Sequence, residues 1–147
     1  MDDAFDPRFD ERHPNLSQLA PRAESAFMKA TGLTLDVVTD VEVRGRLRLG
    51  PDQHTPWGVV HGGVYAAAVE TAASTGASFA VEAQGMFAVG LTNTTNFVRA
   101  SNGDNATLVA RALHQGRTQQ LWEVDIVDSN GKLLARGELR LQNLPLP

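Results

Sequence analysis

The sequence predicts an α+β domain in which one antiparallel sheet wraps around a single long central helix, with a short helix ahead of it. Three observations point there. Residues 61–81 form an alanine-rich, proline-free run, long enough for about five helical turns and carrying small residues on every side, the mark of a buried helix. Segments before and after it alternate apolar and polar residues with the two-residue period of half-buried strands. Finally, 147 residues, 42% hydrophobic and 20% charged, suffice for one core. With no cysteine the chain has neither disulfides nor thiolate metal sites to lean on.

Taken in order, residues 1–20 hold several acids, Pro7 and Pro14 and little periodicity, and read as a loosely ordered acidic arm before a single domain, 21–147. Pro21 opens a short helix from Arg22 to Thr31 and Gly32 closes it, the usual placement of these two residues. Leu33 to Val37 and Val41 to Leu49 alternate as strands; Glu42, Arg44, Arg46 and Arg48 share one face, which reads first as solvated and second as a phosphate-facing patch. A loop, Gly50 to Trp57, leads into the long helix. Four strands follow, Phe87–Val98, Thr107–Gln115, Thr118–Asp128 and Lys132–Gln142, joined largely as a meander, with Ser129-Asn130-Gly131 as a tight hairpin turn. Leu133, Ala135, Gly137, Leu139 and Leu141 form the inner face of the last one. An exposed Phe87–Val98 edge would invite aggregation, and pairing it with a second copy of the chain solves that problem, so an isologous dimer is expected.

The formal charge of −4 argues against a nucleic-acid surface, which needs a basic footprint. Positive charge is nearly all arginine, with lysine only at 29 and 132, and a few arginines suffice to bind a small phosphorylated ligand locally. The acidic start Met1-Asp2-Asp3 lacks a signal-peptide layout, and no apolar run reaches the roughly 18 residues of a membrane span. A soluble cytoplasmic protein with no membrane partner is expected. His13 and His114 are isolated, and neither they nor the acids show metal-ligand spacing.

Chemistry concentrates on the long helix. Glu70 is its one carboxylate before Glu82. A lone carboxylate there is costly unless partnered, so it either reaches an arginine or water at the helix edge or serves as a general base or nucleophile. Ser74, four residues on, shares its face and is either a packing residue or a hydrogen-bonding assistant. Gly62-Gly63 stands at the helix start, where unpaired N–H groups and a partial positive charge suit an oxyanion. Glu70 and these glycines lie roughly 10–12 Å apart along the helix, too far to act together within one chain. A symmetric dimer would bring Glu70 of one copy to the glycines of the other.

His61-Gly62-Gly63, then Glu70, then Ser74 one turn later resembles the active-site helix of the hotdog-fold acyl-CoA thioesterases, in particular the branch of phenylacetate-pathway-type and 4-hydroxybenzoyl-CoA thioesterases with a helical glutamate. The resemblance covers about residues 20–143 and implies the hotdog fold. It implies that Gly62 or Gly63 polarises the thioester carbonyl, that Glu70 acts across the dimer interface as nucleophile or base for water, and that Ser74 assists. It gives His61 a mainly structural part in the turn. Gly116, Arg117 and Thr118 resemble the segment that meets the CoA phosphates, with Arg99 a further phosphate contact. Many relatives place Asn or Gln six residues before the histidine; here that position is Thr55, which offers a hydroxyl, flanked by Gln53 and His54.

The implied activity is hydrolysis of an acyl-CoA, aromatic or medium-chain acyl groups being the candidates. No cofactor or metal takes part, since CoA belongs to the substrate, and the assembly is a dimer with shared sites or a dimer of dimers. Two other functions remain open: a hotdog hydratase or dehydratase using His54 with Glu70, and a non-catalytic acyl-CoA-binding module.

Overall fold

In the computed structural model, which describes residues 24–103 and 105–147, the long helix (α2, Gly62–Glu82) lies against one six-stranded antiparallel sheet. The proposed arm at 1–20 falls outside the described residues, as does Pro21. A short helix, α1 (Ala26–Ala30), comes first, later than the Arg22 start expected from Pro21. Ser25 is its cap: the hydroxyl accepts from the Met28 N–H at 3.2 Å, satisfying one of the donors a helix start leaves unpaired. Gly32, at φ 73°, ends it as expected, in a conformation that favours glycine.

The strands are β1 (Leu33–Val38), β2 (Glu42–Arg48), β3 (Met86–Phe97), β4 (Asn105–Gln115), β5 (Gln119–Asp128) and β6 (Leu133–Pro145), in spatial order β1-β2-β4-β5-β6-β3. The meander is therefore three strands, β4 to β6, and not four. Gly85, at φ 71°, turns the chain back at the end of α2, and β3 runs along the helix to pair with β6, from Met86 opposite Pro145 to Phe97 opposite Ala135. That leaves β3 at the edge of the sheet, as the Phe87–Val98 segment was expected to be. The β5–β6 turn forms at Ser129-Asn130-Gly131, with Gly131 at φ 77° and the Asp128 carboxylate accepting from the N–H groups of Asn130 and Lys132.

The core lies between sheet and helix. Trp122, Leu47, Leu108, Ile126, Leu139 and Leu141 are fully buried from the sheet side; burial of each such side chain contributes about 1.5–3 kcal/mol. Small residues on α2 allow close approach. A Cβ at Gly76 would lie 2.5 Å from the Trp122 ring, and one at Gly137 of β6 would lie 2.6 Å from Val69. The helix is not buried all round, however. Tyr65, Ala68, Val69, Ala72, Ala73, Gly76, Ala77 and Val81 are buried, whereas Ala66, Ala67, Glu70, Thr71, Ser74 and Thr75 are half-exposed. One sheet covers one side of a helix, and the other side here is only partly covered by the chain's own described residues.

The arginine row on β2 faces outward, and the solvated reading holds for Arg46, which forks onto Asp36. Glu42 departs from it: only 2% exposed, it accepts from Arg44 Nε at 2.6 Å and faces Arg111 Nε at 3.5 Å. Strand pairing supplies Arg111 directly opposite Glu42, so the carboxylate is neutralised where it is buried.

Candidate active site

The loop before α2 is folded onto itself. Thr55 donates its N–H to the Val59 carbonyl at 2.7 Å, and its hydroxyl accepts from the Trp57 N–H at 3.3 Å. The Val60 N–H reaches the Ser101 carbonyl and the His61 N–H the Gln53 carbonyl, tying the loop to the chain that leaves β3. His61 then caps α2: its Nδ1 accepts from the Gly63 N–H at 2.8 Å, while the Val64 N–H reaches the His61 carbonyl. The two glycines are thereby distinguished. The Gly63 N–H is taken by His61, and the Gly62 N–H, first in the helix, has no protein partner among the described residues. Both positions are crowded. A Cβ at Gly62 would lie 3.0 Å from the Phe97 ring and one at Gly63 2.9 Å from His61 Nδ1.

Glu70 sits on the half-exposed side of α2 over the middle of β3. Its Oε2 accepts from Asn93 Nδ2 at 3.2 Å, and the same Asn93 amide donates to the Ala66 carbonyl at 3.0 Å, so strand and helix fix the carboxylate together. Asn93 is fixed in turn by the Thr95 hydroxyl, which donates to its Oδ1 at 2.7 Å. Gly90 makes room for Glu70, since a Cβ there would fall on Oε1. Neither Gly90 nor Asn93 is singled out by the sequence. A glycine inside a strand does mark a close approach, and Gly90 was the available signal. Ser74 shares the face of Glu70, but among the described residues it makes no hydrogen bond to it.

Arg99 and the Gly116-Arg117-Thr118 turn lie at opposite ends of the sheet. The Arg99 N–H bonds to the Leu134 carbonyl at the start of β6, beside the Gly62 end of α2, whereas the turn packs on Asn143 near the end of β6. With about 3.3 Å per strand residue, their anchor points on β6 are roughly 30 Å apart within one chain. His54 is likewise separate from Glu70. Its Nε2 is 3.1 Å from the Leu49 carbonyl, to which it donates, and no hydrogen bond or ion pair joins it to Glu70 among the described residues. It lines a groove of about 440 Å³ between α1 and the start of α2, with Phe27, His61, Val64 and Ala67. A larger recess of about 570 Å³, lined by Thr34, Arg46, Arg48 and Asn105, touches none of these residues. Among the described residues no group of three or more His, Asp or Glu is placed to hold a metal ion.

The model of one protein family, the Thioesterase superfamily, matches residues 58–135, a span that holds the α2 start, Glu70 and β3. The chain belongs to that superfamily. Its described fold is the hotdog fold that the sequence resemblance implied. Among curated relatives of this thioesterase-superfamily chain, "Putative esterase Rv1847" of Mycobacterium tuberculosis is 44% identical over 121 residues, covering 80% of this chain and 86% of the relative. Its solved structure superimposes with a TM-score of 0.80 over 84% of this chain and 99% of that one, at 38% identity. A glutamine-to-alanine mutant of thioesterase PA1618 from Pseudomonas aeruginosa gives a TM-score of 0.83 at 25% identity, covering 94% of this chain and 99% of that one. A 1,4-dihydroxy-2-naphthoyl-CoA hydrolase of Listeria monocytogenes is 37% identical over 81 residues, 55% of this chain and 65% of the relative.

Proposed function

We propose that the protein is an acyl-CoA thioesterase whose active sites are shared between two copies of the chain. The observation that carries this reading is the pairing of Glu70, held by Asn93 over Gly90, with a Gly62 N–H at the start of the same helix that has no partner among the described residues. The CoA hydrolase among the relatives supports a CoA thioester as the substrate.

The edge strand supplies the assembly. Leu91, Phe97 and Val98 are about half-exposed along β3 and just beyond it, where an unpaired strand invites a partner. Antiparallel pairing of two β3 strands about a twofold axis near Thr94 sets Leu91 level with Phe97 of the partner subunit. Because Gly62 lies under Phe97 and Glu70 over Gly90, Glu70 then meets Gly62 of the partner subunit. The same twofold brings Arg117 of one chain toward the end of the sheet that carries Arg99 of the partner subunit, uniting the two phosphate contacts. The half-exposed face of α2 gains its cover, and two such dimers can associate further.

In the reaction, the Gly62 N–H donates a hydrogen bond to the thioester oxygen as negative charge develops there. Glu70 takes a proton from water as the water oxygen bonds to the carbonyl carbon. The C–S bond breaks, and the CoA thiolate leaves with that proton. In the nucleophilic variant, Glu70 itself forms the acyl bond, expelling CoA, and water cleaves the resulting anhydride. Neither route uses a metal or redox cofactor. The groove beside Gly63, walled by Phe27, Val64 and Ala67, takes the acyl group.

Thiol release from a panel of aromatic, short and long acyl-CoAs tests this reading, with wild type beside Glu70→Gln. Wild type releases CoA from at least one class, and Glu70→Gln loses about a thousandfold in kcat. An inactive wild type, or a fully active mutant, overturns the reading.

A further inference from the structure

We propose that Asn143 is the positioning residue that shapes the Gly116-Arg117-Thr118 turn into a cradle of outward N–H groups for the phosphates of CoA. The inference rests on the acyl-CoA reading above and assigns a part to a residue that neither the motif nor the helix contains.

Asn143 lies near the end of β6 and is only 5% exposed. It donates to three consecutive carbonyls of the turn. Its backbone N–H reaches the Thr118 oxygen at 2.8 Å, and its Nδ2 reaches the Gly116 and Arg117 oxygens, both at 3.2 Å. A trans peptide is planar, and its N–H points opposite to its C=O. The carbonyls of Gly116 and Arg117 drawn inward to one residue therefore turn the N–H groups of Arg117 and Thr118 outward. Among the described residues those of Arg117 and Thr118 have no protein partner, and both residues are exposed. Successive outward N–H groups beside a guanidinium form an anion-binding concavity.

The clamp is itself held from within. Asn143 Oδ1 accepts from Gln120 Nε2 at 2.9 Å, and the same amide donates to the Ala77 carbonyl of α2 at 2.9 Å. Gln120 Oε1 accepts from Trp122 Nε1 at 3.0 Å and from Gln115 Nε2 at 3.3 Å. Gln120 is 1% exposed, so each side-chain atom of this buried amide pair has a partner. Such networks rigidify what they touch. The orientation of Asn143, with oxygen toward Gln120 and nitrogen toward the turn, follows because carbonyls accept and cannot donate. The turn is thus referenced to the helix that carries Glu70.

The test uses free CoA and pantetheine, which lacks the nucleotide and its phosphates, with amide NMR and calorimetry on the full chain. CoA shifts the Arg117 and Thr118 amide resonances and pantetheine leaves them in place. Asn143→Leu, which removes the side-chain donors without adding charge, weakens CoA binding about tenfold and leaves pantetheine affinity unchanged. Leu108→Ala, a core change toward the other end of β4 and outside the Gln120–Asn143 network, lowers stability and spares CoA affinity, which separates positioning from general destabilisation. CoA that binds without moving the turn amides overturns the inference alone, as does an Asn143→Leu variant that keeps full CoA affinity or loses pantetheine equally. Should Asn143→Leu fail to fold, the wild-type amide shifts decide. Absence of CoA binding overturns both this inference and the acyl-CoA reading, whereas CoA binding at the turn without hydrolysis of any thioester overturns only the hydrolytic reading.

Discussion

On the sheet side of α2, Val69, Gly76 and Ala77 are buried, and the approach is so close that a methyl group at Gly76 would strike Trp122 and Val43. On the opposite side Glu70, Thr71, Ser74 and Thr75 are half-exposed. The two sides have the same small-residue character but different covers. One is closed by the chain's own sheet and carries stability. The other, on the proposed reading, is completed by a second copy and carries the chemistry, with Glu70 held there by Asn93. Changes on the closed side are accordingly expected to move stability and leave turnover intact, and changes on the open side and at its glycine end to do the reverse.

The sharpest separation comes at Gly62. Proline there removes one N–H at the first helical position, where the ring is best tolerated, and His61 before it already has the extended conformation (φ −67°, ψ 128°) that proline demands of its predecessor. Gly62→Pro lowers kcat about a hundredfold or more in a steady-state assay. Gly62→Ala, which brings the same crowding of Phe97 but keeps the N–H, loses much less; equal losses would assign the effect to crowding and remove the oxyanion role.

On the closed side, Gly76→Ala costs about 1–3 kcal/mol in urea denaturation, because its Cβ has 2.5 Å to Trp122 and 2.8 Å to Val43. Turnover per folded molecule stays within about twofold of wild type on this account. A large loss of kcat with unchanged stability would blur the distinction between the two faces.

The smallest effect is expected at Tyr65, which is 3% exposed and whose hydroxyl has no partner among the described residues. Tyr65→Phe leaves stability unchanged or raises it by up to about 1 kcal/mol. Burial pushes the Tyr65 hydroxyl pKa up, so the unfolded chain ionises first and the folded state loses stability as pH rises above about 10. Comparing denaturation of wild type and Tyr65→Phe across that range shows a steeper loss in wild type.

Much of this arrangement is legible in the sequence because local pattern carries it. The proline-free alanine run gives α2 within a residue at either end, and strict alternation gives β2 and the inner face of β6. What local pattern cannot hold is pairing over distance. That β3 crosses to β6 is set by how the chain turns at Gly85 and packs along α2, and no periodicity reports it. The partner of Glu70 is 23 residues away on another element, and the residue that clamps the Gly116 turn is 27 residues beyond it. Glu42 reads as solvated from alternation alone, yet the strand opposite delivers Arg111 and permits its burial. Helix amphipathicity failed for a different reason: small residues on all sides signal burial without saying which side the chain itself buries.

The most direct test of the shared site mixes two inactive variants, Glu70→Gln and Gly62→Pro, after co-refolding or co-expression. Random exchange makes half of the dimers hybrid. Each hybrid has one doubly damaged site and one site with both Glu70 and the Gly62 N–H intact, so the mixture recovers about a quarter of wild-type thioesterase activity. A mixture that exchanges subunits yet stays as inactive as its parents would contradict the claim that each site is built from two chains.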